Sequence, residues 1–325
     1  MRPSAAEQAE EFAAQGRVVE GLRVLEAAAA RRDADAFFQI ALWRLSGQYL
    51  PRDLAVSRAY FAHAADAGRA DAAAIHAAFL ANGTGGDADW PKALAILRAL
   101  APVDGAAREQ LAILAAMDLD FDGAPRVVHE PELLSEQPFV RRFAGLFSAA
   151  ECDFLARCAE PWLQPAVIVD PWSGRHVLDP VRRSDSAAFP LAMENPAIHA
   201  LNRRIAAASG TLVKQGEPLQ VLSYRAGQEY RPHLDALGGV DNQRILTVLV
   251  YLNDGYSGGE TVFTESGLAI RGRRGDAIMF RNIDGARRAD LRSRHAGLPV
   301  TAGRKLIASR WIRERPLDLG DRPGR

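Results

Sequence analysis

Residues 230–237 read YRPHLDAL, with His233 and Asp235 two positions apart. If this stretch is a strand, both side chains project from the same face, about 7 Å apart at Cα, and the C-terminal half of the chain is a β domain. One imidazole and one carboxylate can then reach a single ion. Two protein ligands leave a divalent cation under-held, so a third donor is required. SRHAGLPV, residues 293–300, supplies it in His295, close to the small Gly297. Two histidines and one carboxylate form the donor set that binds non-haem Fe(II), covering one face of an octahedron and leaving three positions open. Of the seven histidines, His63, His76, His129, His176, His199, His233 and His295, most are read as surface or capping residues.

Outward from this stretch, short β-branched and aromatic runs recur: LQVLSY (219–224), RILTVLVYL (244–252), DAIMF (276–280) and RKLIASRWI (304–312). Glycine turns such as SGG (257–259) and TAG (301–303) separate them. Two helices accompany the strands. One spans 148–160 from a serine in capping position, and one spans 196–210 and ends on glycine. Many short strands backed by helices indicate an antiparallel barrel or sandwich. Alternation along 304–312 puts Lys305 on one face with Ile307, Ser309 and Trp311. A lysine on an apolar face is costly unless it meets an anion, although a lysine at a strand end can also snorkel to solvent.

The N-terminal half has a different period. From about residue 5 to 120 it is rich in alanine and leucine at helical spacing. DAFFQIALWRLSG (35–47) overlays DAAAIHAAFLANG (71–83) at an offset of 36, as stacked helix pairs require. Gly68 and Gly105 are expected to close the second helix of each pair in a left-handed cap. The arrangement of small residues and glycine turns resembles SEL-like repeats, relatives of tetratricopeptide repeats. The period stops in DFDGAPRVVHEPELLSEQP (120–138). The reading is therefore α+β with two domains: 1–122 a helical, solenoid-like repeat domain and 123–325 a β domain with supporting helices.

With 48% hydrophobic and 25% charged residues and a formal net charge of zero, the chain has no basic excess of the kind nucleic acid selects, so no nucleic-acid partner is expected. No window is long and apolar enough for a membrane span, and the N-terminus lacks a signal-like apolar core, so a cytoplasmic protein is expected. Cys152 and Cys158 form no metal or redox motif.

The blocks LQVLSYRAGQEYRPHLD, RILTVLVYLNDGYSGGETVF, GDAIMF and SRHAGLPVTAGRKLIASRWIRE occur in this order, and the segment 127–316 that holds them resembles the prolyl 4-hydroxylase family of Fe(II)- and 2-oxoglutarate-dependent dioxygenases. The resemblance implies a double-stranded β-helix, the jelly-roll barrel, with His233, Asp235 and His295 as iron ligands. It implies that Lys305 pairs with the distal carboxylate of 2-oxoglutarate, helped by the Tyr224 and Thr261 hydroxyls, with Trp311 packed nearby. Arg183, Glu217 and Arg244 correspond to residues of the substrate groove. By its composition of glycine, prolines, Trp172 and His176, DPWSGRHVLDP (170–180) reads as a mobile active-site loop or as a passive connector. Fe(II), 2-oxoglutarate and O2 follow as cofactor and co-substrates, with ascorbate as reductant. Hydroxylation of a protein or peptide at proline is then expected, with succinate and CO2 as co-products and the repeats recruiting the target. The alternatives are the same chemistry on a non-protein substrate, or a repeat-based binding protein whose barrel is silent.

Overall fold

Alanine-rich amphipathic segments close into seven helices: α1 Ala5–Ala14, α2 Val18–Ala29, α3 Ala34–Ser46, α4 Leu54–Asp66, α5 Ala70–Asn82, α6 Trp90–Leu100 and α7 Gly105–Ala116. Aspartates at positions 33, 53, 89 and 104 accept first-turn N–H groups of α3, α4, α6 and α7, which satisfies donors that a helix start leaves open. Helices α3 and α5 begin at Ala34 and Ala70, and α4 and α6 at Leu54 and Trp90, the offset read from the sequence. Leu25, Ile40 and Trp43 centre one core of this unit and Phe61 and Phe79 the next, with alanines letting the helices approach. Gly68 follows α4 with φ 98°, as a left-handed cap should. Gly105 does not cap α6. It opens α7 directly after the capping Asp104, because Pro102 follows the end of α6 and the chain turns before the glycine is reached.

The computed structural model describes residues 3–169, 176–178 and 181–317. One compact unit comprises the chain to Gly123 with Leu191–His199, and the second comprises Ala124–Pro190 with Ala200–Leu317. The second unit contains α8 (Ala149–Ala159), most of α9 (Pro196–Ser209) and fifteen strands: β1 Glu132–Glu136, β2 Phe139–Phe143, β3 Gln164–Pro165, β4 Val167–Val169, β5 His176–Leu178, β6 Asp185–Phe189, β7 Leu219–Arg225, β8 Tyr230–His233, β9 Arg244–Tyr251, β10 Tyr256–Gly258, β11 Thr261–Phe263, β12 Ala269–Ile270, β13 Ala277–Arg281, β14 His295–Gly297 and β15 Val300–Arg313. The large sheet runs β1-β2-β13-β9-β15-β7-β6-β3, with β10 also on β15, and the small sheet runs β12-β11-β14-β8. From β7 onward the chain passes back and forth between the two sheets, which is the double-stranded β-helix. Leu222, Leu249, Tyr251, Phe280 and Ile307 of the large sheet meet Phe263 and Ile270 of the small one in a shared core.

Three local expectations change. Strand β8 stops at His233 and Asp235 sits in the bend beyond it, because its partner β14 begins at His295, the residue opposite His233, and offers nothing further to pair with. TAG is no turn: Gly303 lies inside β15 opposite Tyr256, with φ 75° and the Gly255 oxygen 2.5 Å from where a Cβ would stand. Strand β1 falls within the segment read as a boundary. The loop proposed at 170–180 lies outside the described residues except for the backbone of 176–178, which pairs with β4.

Candidate active site

His233 closes β8 and His295 opens β14, directly opposite one another in the antiparallel register, with ring centroids 4.3 Å apart. Each ring is oriented by the carbonyl two residues before it. His233 Nδ1 lies 2.8 Å from the Arg231 carbonyl and His295 Nδ1 3.0 Å from the Ser293 carbonyl. A carbonyl only accepts, so both Nδ1 atoms carry the proton and both Nε2 atoms keep a lone pair. Those lone pairs meet Asp235: its Oδ1 is 3.6 Å from His233 Nε2 and its Oδ2 3.8 Å from His295 Nε2. Among the described residues this is the group of three metal-ligating side chains whose donor atoms come together, all within 4.8 Å of one another.

The protonation states suit a cation. Burial pushes the His295 imidazole down to about 4, leaving it neutral at physiological pH. Burial acts upward on the Asp235 carboxyl, but its interactions with His233, His295 and the Thr247 hydroxyl outweigh it and hold the group well below the usual carboxylate range. Two imidazoles and one carboxylate fit Fe(II) in type and number. Tyr230 stacks on His233 at 3.5 Å, and Phe280 meets His295 edge-on at 4.6 Å, so the rings have little freedom to turn away.

The same residues line a cavity together with Leu222, Tyr224, Thr261, Lys305, Ile307 and Trp311. Alternation along β15 does put Lys305, Ile307, Ser309 and Trp311 on this wall. Lys305 is 3% exposed, pairs in register with Tyr224, and donates from Nζ to the Gly259 carbonyl at 2.7 Å. Among the described residues no carboxylate forms an ion pair with it, and burial, partly offset by Glu260, pushes its ammonium down to about 8. A buried cation of this kind is held ready for an anion. Tyr224, driven far above its ordinary value by burial, stays a protonated donor. The Tyr251 hydroxyl donates to Thr261 Oγ1 at 3.2 Å, which frees the Thr261 proton to point elsewhere.

The expected substrate residues divide. Glu217 accepts from Arg244 through both oxygens, at 2.7 and 2.8 Å, and also from Arg313. The Arg244 guanidinium lies 4.0 Å from the centre of the Trp311 ring, on the cavity wall. Arg183 is exposed and is not among the described lining residues; its backbone N–H donates to the Glu229 carbonyl, while Arg182 is the arginine near the Tyr230 ring. Sequence reasoning missed Tyr230 and Thr247. Tyr230 could have been found three positions before His233, on a strand whose next residues carry ligands.

The family model described as the 2OG-Fe(II) oxygenase superfamily matches residues 219–313. Prolyl 4-hydroxylase 1 of Arabidopsis thaliana is 34% identical over 206 residues, covering 57% of this chain and 72% of the plant protein. Prolyl 4-hydroxylase subunit alpha-1 of Rattus norvegicus is 33% identical over 190 residues, and there the chain spans 35% of the relative's length. A viral collagen prolyl hydroxylase from Paramecium bursaria Chlorella virus-1, solved with 2-oxoglutarate, is 28% identical over 55% of this chain and 98% of its own, with a TM-score of 0.43. The triad cavity, the jelly roll, the superfamily model and the Arabidopsis relative, of which the chain covers 72%, identify the chain as a 2-oxoglutarate-dependent dioxygenase that belongs to the prolyl 4-hydroxylase family.

Proposed function

We propose that this enzyme hydroxylates prolyl residues of a protein or peptide, with His233, Asp235 and His295 holding Fe(II) and Lys305 holding the distal carboxylate of 2-oxoglutarate. The observation that carries the reading is one cavity lined both by two lone-pair-bearing imidazoles with an ionised carboxylate and by a buried ammonium with no carboxylate partner among the described residues. 2-Oxoglutarate has two ends of matching chemistry: a 2-oxo acid that chelates a metal and a carboxylate that meets a cation. Tyr224 and Thr261 add hydroxyl donors at the cation, and Trp311 closes the wall.

Iron with 2-oxoglutarate supplies the O2 chemistry, in which one oxygen atom enters the target C–H bond as hydroxyl and the other goes to succinate as CO2 leaves. The protein's own work is geometric. Leu222, Leu249, Ile307 and Trp311 keep the cavity apolar and short of water, and the aromatic contacts of His233 and His295 keep the ligands from swinging. The Glu217–Arg244 pair beside Trp311 offers charged groups to the peptide backbone, and Arg183 belongs to the outer rim. Ascorbate serves as reductant when turnover proceeds without substrate, in a cytoplasmic setting that keeps Cys152 and Cys158 as thiols. The helical unit recruits the polypeptide.

The test is succinate release by the full chain with Fe(II), ascorbate and 2-oxoglutarate, followed by mass spectrometry of a treated lysate for proline residues that gain one oxygen atom. Asp235→Ala should abolish succinate formation while retaining the far-ultraviolet circular dichroism of the parent. Oxygen found on other residues or on small molecules overturns the prolyl assignment and leaves the dioxygenase class standing.

A further inference from the structure

Asp235 is held from behind by two polar side chains that a β core would ordinarily exclude. Thr247 of β9 and Asn282, the residue after β13, are both fully buried. The two strands are paired there, Phe280 opposite Thr247. Buried polar groups of this kind persist where each has a partner. Thr247 Oγ1 lies 2.6 Å from Asp235 Oδ2, and Asn282 Nδ2 lies 2.9 Å from Thr247 Oγ1. A further approach of 3.2 Å joins Thr247 Oγ1 to Asn282 Oδ1.

One hydroxyl has one proton to give, and a ligating carboxylate can only accept. The Thr247 proton therefore goes to Asp235, and the Asn282 amide donates to the Thr247 oxygen. Asn282 is in turn fixed by its backbone, whose N–H donates to the Ile245 carbonyl and whose C=O accepts from Asp290, each at 3.0 Å.

We infer that Asn282 and Thr247 are positioning residues that make Asp235 a ligand through one oxygen, an inference that rests on the iron-site reading above. With Oδ2 engaged by Thr247, Oδ1 is the oxygen left facing His233 Nε2 at 3.6 Å. Oδ2 is itself 3.8 Å from His295 Nε2, so without the hydroxyl the carboxylate can turn and cease to present Oδ1 to an ion held by both imidazoles. The relay Asn282–Thr247–Asp235 holds Oδ1 in the presenting orientation.

The experiment measures Mn(II) affinity of the full chain by anaerobic titration, a readout separate from turnover. Thr247→Val keeps the shape and removes the hydroxyl, and it should bind Mn(II) roughly tenfold to hundredfold more weakly, the usual effect of losing a group that orients a ligand. Thr247→Ser restores the donor and should return affinity close to the parent value. Asn282→Leu leaves both Thr247 and Asp235 in place and should give a loss smaller than Thr247→Val. Parent-like affinity in Thr247→Val, or a loss in Thr247→Ser as large as in Thr247→Val, overturns the inference. If Thr247→Val does not fold, Asn282→Leu decides: a weakened site supports the relay and an unchanged one removes it. Asp235→Ala serves as the separate check on the iron site, since parent-like Mn(II) binding there defeats the triad itself rather than the relay.

Discussion

Lys305 is the residue whose environment makes the sharpest demand. Its ammonium is buried against Tyr224 and Tyr251 with a carbonyl as its hydrogen-bond partner, and burial has pushed it down to about 8. The charged form is the one that binds a carboxylate. Affinity for 2-oxoglutarate should therefore be full below about pH 8 and should weaken as pH rises through that value in the free enzyme. Lys305→Met keeps the stem and removes the charge. A charge-assisted hydrogen bond worth about 1.5–3 kcal/mol predicts a roughly tenfold to hundredfold rise in the dissociation constant, and the alkaline weakening should disappear. Anaerobic calorimetry of both proteins across pH 7–9.5, about the span over which such a lysine titrates, checks both statements; equal affinities would place the anion site elsewhere. The chemistry at this scale was legible because few residue types can do it: histidine and carboxylate for a divalent ion, a cation for an anion. Thr247 and Asn282 were not legible. A threonine inside RILTVLVYL reads as an ordinary strand former, and its partner lies 35 residues away, brought close only by sheet register.

At the scale of elements, runs of β-branched residues located β7, β9, β13 and most of β15, because a strand buried on both faces must be apolar along its length. Strands of two or three residues, such as β11, β12 and β14, leave too little periodicity to read. Glycine misled for a related reason. In TAG a glycine signals a turn on its own, but Gly303 serves close approach, as Gly272 does. At Gly272 a Cβ would stand 1.9 Å from Cδ2 of Tyr251, the ring whose hydroxyl donates to Thr261. Gly272→Ala must push that ring aside within a filled core, and overpacking of this kind costs about 1–3 kcal/mol. Urea denaturation should show the loss, and 2-oxoglutarate affinity should fall with it as Thr261 loses its donor. A variant as stable as the parent would mean that the Tyr251 ring has room to move.

At the scale of the whole molecule, the change from a helical period to short strands showed two architectures in one chain, and the 36-residue offset showed how the first is built. What composition could not show is that Leu191–His199, far along the chain, groups with the helices. Leu191 and Ala192 pack against the Phe61 and Phe79 cluster, and Asn82 Nδ2 donates to the Leu191 carbonyl at 3.0 Å. A chain shortened to start at residue 124 thus leaves two apolar side chains and one carbonyl without their partners. It should unfold at a lower temperature than the full chain, and Leu191→Ser with Ala192→Ser in the shortened chain should recover solubility. Such a shortened, soluble protein tests recruitment. If the helical unit binds the polypeptide target, it acts as a second tethered site that raises effective concentration and leaves the chemistry alone. Decarboxylation of 2-oxoglutarate without substrate and turnover of short proline-containing peptides should then stay near the full-length values, while kcat/KM on the native target protein drops through KM. A parallel fall on peptide and protein would instead assign the helices a supporting role for the barrel, and an unchanged kcat/KM on both would leave them no part in capture.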